Sequence, residues 1–166
     1  GSLSFCLWRY LIMSRVIAIV NQKGGVGKTT TAVSLGSSLG KEGRKVLLVD
    51  LDPQANATSG VGVSRADPKL NVYRMLMGEV SGRDCLIETG YRNVSIIPSH
   101  PDLTAAEVEL ISLIGREYRL RDALQPMGAD YSYILIDCPP SLNILVINAL
   151  AAARELILPI QAEYYA

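Results

Sequence analysis

The sequence predicts an α/β fold, a mostly parallel β-sheet with helices on both faces. Three observations lead there. Strand-length apolar runs alternate with segments of helical period, the pattern of βαβ units. The runs are continuously apolar, as strands covered on both sides are. A glycine-rich loop stands between the first run and the first helix.

Taken in order, the first strand is expected over Arg15 to Asn21, around the apolar run Val16 to Val20. A helix opening near Lys28 and Thr29 follows, with Ala32, Leu35 and Leu39 on one face and Gly40 and Gly43 as its stop signals. Lys45 to Asp50 is the second strand, and Asn93 to Ile97 another. The turn Pro98-Ser99-His100-Pro101 leads to a helix with Leu103, Ala106, Leu110 and Leu113 on one face. Gly115 breaks it, and Leu120, Leu124 and Met127 mark the next. Tyr133 to Asp137 reads as a central strand. Pro139-Pro140-Ser141 then turns the chain into an amphipathic helix whose stripe is Leu142, Leu145, Val146, Ala149 and Ala153, and Leu156 to Ile160 is the last strand. There are no repeats and no low-complexity segments.

The loop is Lys23-Gly24-Gly25-Val26-Gly27-Lys28-Thr29-Thr30. Gly24, Gly25 and Gly27 allow successive backbone N–H groups to converge on one phosphate, and the following helix adds its unpaired N–H groups and positive dipole end. Lys28 stands where a lysine neutralises β- and γ-phosphates, and the Thr29 hydroxyl is placed to ligate Mg²⁺. A bare glycine turn would be only a tight connection, but here the strand before it, the Gly-Lys-Thr element and the helix after it agree. The loop departs from the general GxxxxGK[ST] pattern, with Gln22 in place of its first glycine and a second lysine, Lys23, beside it. A second ammonium so close to Lys28 needs an anion of its own. Two further apolar runs end in carboxylates, Asp50 and Asp137, and either could steady Mg²⁺. Asp52 precedes Pro53, where turn formation is the plainer reading, and in a continued strand it would share a face with Asp50.

At this point the chain resembles the deviant Walker A ATPases, pattern KGGxGK[ST], and within them the ParA/Soj type of partition ATPase. The resemblance is carried by Asn21 to Thr31, Val49-Asp50-Leu51-Asp52-Pro53-Gln54, Asn56-Ala57-Thr58, Asp137-Cys138-Pro139-Pro140-Ser141 and Pro159 to Tyr165. It implies a P-loop NTPase fold that binds ATP and Mg²⁺, with nucleotide held by Lys23 through Thr30 and metal by Thr29, Asp52 and Asp137. It implies that Asp52 positions the attacking water, that Asp137 is the strand-end carboxylate of the metal shell, and that Asp50 has a supporting place. It implies that Lys23 crosses an ATP-dependent homodimer to the partner's phosphates, and that Lys23, Asp52 and Asp137 are the catalytic set. The activity implied is weak, partner-stimulated ATP hydrolysis serving plasmid or chromosome partitioning, with a ParB-like centromere-binding protein as stimulator. The family runs on beyond the position matching Ala166, with the adenine pocket and the basic surface for non-specific DNA there. The expected domain is 13–166, truncated at its C-terminal side, and Gly1 to Ile12 is expected to be a leader or cloning remnant outside the fold.

Composition bounds these expectations. With 166 residues the chain suits one domain, and Lys+Arg 16 against Asp+Glu 16 gives no overall pull toward nucleic acid. Cys6, Cys85 and Cys138 lack metal spacing and suit a reducing cytoplasm, where the resemblance places the family on the nucleoid. No apolar run reaches the roughly 18 to 20 residues of a membrane span, so no membrane association is expected. The alternatives are a MinD-like division-site ATPase, a nucleotide-binding fragment without hydrolysis, and an electron-transfer relative of the nitrogenase iron protein suggested by Cys138. His100, the single histidine, is expected as a solvated loop residue.

Overall fold

The computed structural model describes residues 14–20 and 30–159. Its strands are β1 (Arg15–Val20), β2 (Val46–Asp50), β3 (Ile87–Glu88), β4 (Val94–Ile97), β5 (Tyr133–Cys138) and β6 (Glu155–Ile157). They form one sheet in the order β3-β4-β2-β5-β1-β6, parallel throughout except where β3 pairs antiparallel with β4. The helices are α1 (Thr31–Lys41), α2 (Asn56–Gly60), α3 (Val72–Leu76), α4 (Leu103–Glu109), α5 (Arg119–Leu124) and α6 (Ile144–Ala152). This is the mostly parallel sheet with helices that the sequence predicts.

Successive strand residues point to opposite faces, so each strand feeds two cores. Leu47 and Val49 of β2, with Ile134 and Ile136 of β5, meet Leu103 of α4, Leu120 of α5 and Leu145, Val146 and Ala149 of α6 on one face. Val46, Leu48, Ile17, Ile19 and Leu135 meet Ala32 and Val33 of α1 on the other. Burying each large aliphatic side chain contributes roughly 1.5–3 kcal/mol. Burial on both faces is why these runs carry no polar alternation.

Several boundaries differ from expectation, each for a local reason. The first helix begins at Thr31 rather than near Lys28, because Thr30 is extended (φ −73°, ψ 156°) and its Oγ1 accepts from the Val33 N–H at 3.1 Å. Gly43, at φ +87°, makes the turn after α1, but Gly40 is not a stop signal. It lies inside the helix, where an added Cβ would collide with the Arg92 carbonyl oxygen, and its own carbonyl accepts from Asn93 Nδ2 at 3.0 Å. Asn143 caps α6, accepting from the Leu145 N–H at 2.9 Å. That cap leaves Leu142 outside the helix and 89% exposed, not on the buried stripe. The last strand is Glu155–Ile157, shifted toward the N-terminus from its expected place, with Ile160 outside the described residues. Among the described residues it is the outermost strand on its side of the sheet, and Leu156 and Leu158 are about half exposed there. His100 is more sheltered than expected, its side chain only 15% exposed.

Candidate functional site

In a parallel sheet of this kind, ligands bind beyond the carboxyl ends of the strands. That edge holds the acidic residues singled out by sequence. Asp50 ends β2 and Asp137 stands near the end of β5, and the two are register partners on adjacent strands. On the other side of β5, Val20 at the end of β1 is in register with Cys138. β1 thus ends beside Cys138, next in sequence to Asp137. Lys23, Gly24, Gly25, Val26, Gly27, Lys28 and Thr29 lie outside the described residues. Thr30 is described, and its hydroxyl serves as the cap of α1.

β2 does not continue to Asp52. The Leu51 N–H still donates to the Asp137 carbonyl at 2.9 Å, but the Asp52 N–H turns back to donate to Asp50 Oδ1 at 3.1 Å. Asp50 and Asp52 therefore sit on a turn and not on one strand face. The Asp52 carboxylate accepts from the Gln54 N–H at 3.0 Å, and Ala55 then takes the left-handed conformation at φ 58° to start α2. From the first turn of α2, Thr58 donates to Asp50 Oδ2 twice, from its N–H at 2.8 Å and from its hydroxyl at 2.6 Å. The Thr58 Oγ1 also accepts from the Ser99 N–H at 3.0 Å, and Ser99 Oγ donates to the Asp52 carbonyl at 2.6 Å. Sequence reasoning misses both Thr58, in a short helix eight residues past Asp50, and Ser99, in the turn after β4: a hydroxyl at such a place carries no sequence signal that separates a network partner from an ordinary cap or turn former.

Electrostatically the edge is acidic. Burial pushes Asp50 up to about 6, against the lowering effect of its donors from Thr58 and Asp52. Burial, then the charges of Asp50 and Asp52, push Asp137 up to about 8, and no donor of the described residues offsets this. Asp52 is also raised, chiefly by burial. None of the ion pairs among the described residues includes any of the three. Carboxylates crowded in this way fit a divalent cation that would restore their charged forms. No group of three or more His, Cys, Asp or Glu side chains among the described residues converges closely enough to hold a metal unaided. Mg²⁺ takes one or two carboxylates and completes its shell with substrate phosphates and water.

Cys85 and Cys138 are buried free thiols, both raised by burial, to about 11 and about 12. Both pack as buried apolar fillers; Cys6 lies outside the described residues. A cavity of about 470 Å³ opens between Met75 and Met127, away from the acidic edge. Its arginines are already engaged, Arg83 with the Pro126 carbonyl and Asp130, Arg119 with the Leu76 carbonyl.

The family model for AAA domains named AAA_31 matches residues 14–166. The chain belongs to this family. Over 154 residues it is 51% identical to the chromosome partitioning protein ParA of Myxococcus xanthus (strain DK1622), an alignment covering 93% of this chain and 54% of that protein. A plasmid partition protein from Borrelia burgdorferi superposes with a TM-score of 0.81 at 33% identity, over 92% of this chain and 68% of that one. Cobyrinic acid a,c-diamide synthase from Mycobacterium smegmatis, solved with bound ATP analog and magnesium, superposes with a TM-score of 0.85 at 43% identity, over 91% and 62%. The resemblance to ParA/Soj proteins therefore holds, for their N-terminal portion, and the fold is that of a P-loop NTPase. The chain spans about half the length of the ParA protein it matches. Among the described residues, no helix is long and apolar enough to cross a membrane.

Proposed function

We propose that this AAA_31 chain is the phosphate- and magnesium-binding part of an ATP-hydrolysing dimerisation switch for partitioning plasmids or chromosomes. The observation that carries this reading is the shared edge. β1, after which the sequence runs into Lys23 to Thr30, ends in register with Cys138, and the adjacent Asp137 is the register partner of Asp50, with no ion pair from a basic side chain of the described residues to Asp50, Asp52 or Asp137. Gly24, Gly25, Val26 and Gly27 present backbone donors to the ATP phosphates, and Lys28 neutralises them. Thr29, Asp137 and Asp52 would hold Mg²⁺, which supplies charge neutralisation to the phosphates when bound. Asp52, on its fixed turn, orients the attacking water, and Lys23 reaches the nucleotide of a second copy. A ParB-like protein stimulates turnover, and non-specific DNA binds through the part of the family fold beyond this chain, in the cytoplasm on the nucleoid.

Support comes from the ParA relative at 51% identity over nearly the whole chain. The synthase named in the Mycobacterium smegmatis structure is less similar, at 43%. The test is ATPase activity of the full-length protein as a function of its concentration, with and without DNA, for wild type and Lys23→Ala. A specific activity that rises with concentration, lost in Lys23→Ala while nucleotide binding persists, is the expected result. Activity per molecule independent of concentration, or an active Lys23→Ala, overturns the switch.

A further inference from the structure

We propose that Thr58 and Ser99 are positioning residues that together hold Asp52 in place for water activation; the catalytic half of this inference rests on the reading above. The observation is a closed hydrogen-bonded ring through three separate parts of the chain. Asp50 at the end of β2 binds Thr58 in α2, Thr58 Oγ1 binds the Ser99 N–H after β4, and Ser99 Oγ binds the Asp52 carbonyl. The Asp52 N–H returns to Asp50 and closes the ring. All four residues are buried, Asp50 at 0%, Thr58 and Ser99 at 2% and Asp52 at 8% exposure, so water does not compete for these bonds.

Each hydroxyl has a role a methyl cannot fill. Thr58 Oγ1 donates to Asp50 and accepts from Ser99 at once, which fixes its proton toward the carboxylate. Ser99 Oγ spends its proton on the Asp52 carbonyl, the peptide group whose rotation would swing the Asp52 side chain. The Ala55 N–H binds the same carbonyl at 2.9 Å, so the turn is clamped from its own chain and from β4. The single O–H donor of each hydroxyl is spent inside the ring. Their effect reaches the reaction through the orientation of Asp52, where misplacement by about 1 Å can lower rate by about 100-fold.

The test uses the full-length protein with Ser99→Ala and Thr58→Val, against the hydroxyl-retaining Ser99→Thr and Thr58→Ser. Three readouts are taken: kcat and KM for ATP, the urea midpoint, and amide hydrogen exchange at Gln54, Ala55 and Thr58. Loss of the hydroxyl is expected to lower kcat about 10-fold to 100-fold with KM for ATP changed less than about 2-fold. Exchange over Gln54 to Thr58 should quicken about 10-fold, and Thr58→Ser should restore both. Combining Ser99→Ala with Asp52→Asn should reduce kcat no further than Asp52→Asn alone, because Ser99 acts through Asp52. Wild-type kcat in a folded Ser99→Ala, or full additivity with Asp52→Asn, overturns the positioning role. Unchanged exchange overturns the clamp itself. Should wild type turn over no ATP, the reading above fails and takes the catalytic half of this inference with it, while exchange still decides the clamp.

Discussion

Asp50 and Asp137 are register partners on neighbouring strands, equally buried at one sheet edge, yet their surroundings are opposite. Asp50 accepts three hydrogen bonds, two from Thr58 and one from the Asp52 N–H. Asp137 receives none from the described residues and faces two other carboxylates. The same burial therefore leaves Asp50 at about 6 and Asp137 at about 8. A carboxylate saturated by its own protein organises the fold around it. One left without donors is available to an external cation.

The contrast is sharpest in what deletion of each side chain should do. Asp137→Asn should lower ATP hydrolysis in the full-length protein at least about 100-fold, since metal charge and positioning provide most of phosphoryl-transfer catalysis. The same substitution should raise the stability of the nucleotide-free protein by about 1–2 kcal/mol near pH 8, because it removes a buried charge that no donor of the described residues stabilises. Urea unfolding beside a phosphate-release assay measures both. A destabilised Asp137→Asn would mean that the carboxylate is held by contacts not described above. Asp50→Ala should do the reverse for stability. It strands the Thr58 N–H and hydroxyl in a dry site, where hydrogen bonds to a charged group contribute about 1.5–3 kcal/mol each, so a loss of about 3 kcal/mol is expected in the same unfolding measurement.

Much of this was legible in the sequence, and the unreadable part has a physical pattern. Continuous apolar runs located β1, β2, β4 and β5, because a strand covered on both faces keeps an unbroken apolar stretch in the sequence. Helices α2 and α3 span five residues each, too short for a 3.6-residue period to repeat. The carboxylates announced themselves at strand ends, but ranking Asp50 against Asp137 needed the donors, and those are the Asp52 N–H and the N–H and hydroxyl of Thr58, which reach Asp50 only because the chain turns back after β2. Gly40 was misread because a glycine demanded by close packing against Arg92 looks the same in sequence as one that ends a helix. Leu142 was misread because Asn143, one residue later, intercepts the helix start. For Lys23 through Thr29, the sequence remains the source of their assignment.

The pH dependence of stability separates the two carboxylates without mutation. Unfolded, both titrate near 3.8; folded, Asp50 keeps its proton to about pH 6 and Asp137 to about pH 8. Between those values the native state binds more protons than the unfolded state, so stability falls as pH rises. In the absence of Mg²⁺ and nucleotide, the urea midpoint should fall most steeply from about pH 4 to 6, where both groups contribute. It should fall more gently to about pH 8 and level off above. Asp137→Asn should abolish the upper limb and leave the lower one. Saturating MgATP should flatten the profile, since a bound cation favours the charged carboxylates. A midpoint that climbs between pH 5 and 8 would show that burial does not dominate either group.

The smallest effect expected bears on how the Asp50 end is held. Ala55 adopts φ 58° and ψ 34°, a left-handed conformation that disfavours a side-chain-bearing residue by roughly 1–2 kcal/mol. Ala55→Gly relieves that strain but enlarges the unfolded ensemble, an opposing change of about 0.4–1 kcal/mol. A net gain of no more than about 1 kcal/mol in the urea midpoint is therefore expected. Because the substitution keeps the backbone N–H at residue 55 and leaves the Thr58 and Ser99 hydrogen bonds in place, the limb of the pH profile between about 4 and 6 should survive unchanged. If Ala55→Gly erased that limb, the environment of Asp50 would depend on a strained residue at the N-cap of α2 rather than on its hydrogen-bond donors, and the two strand ends would differ in rigidity before they differed in charge.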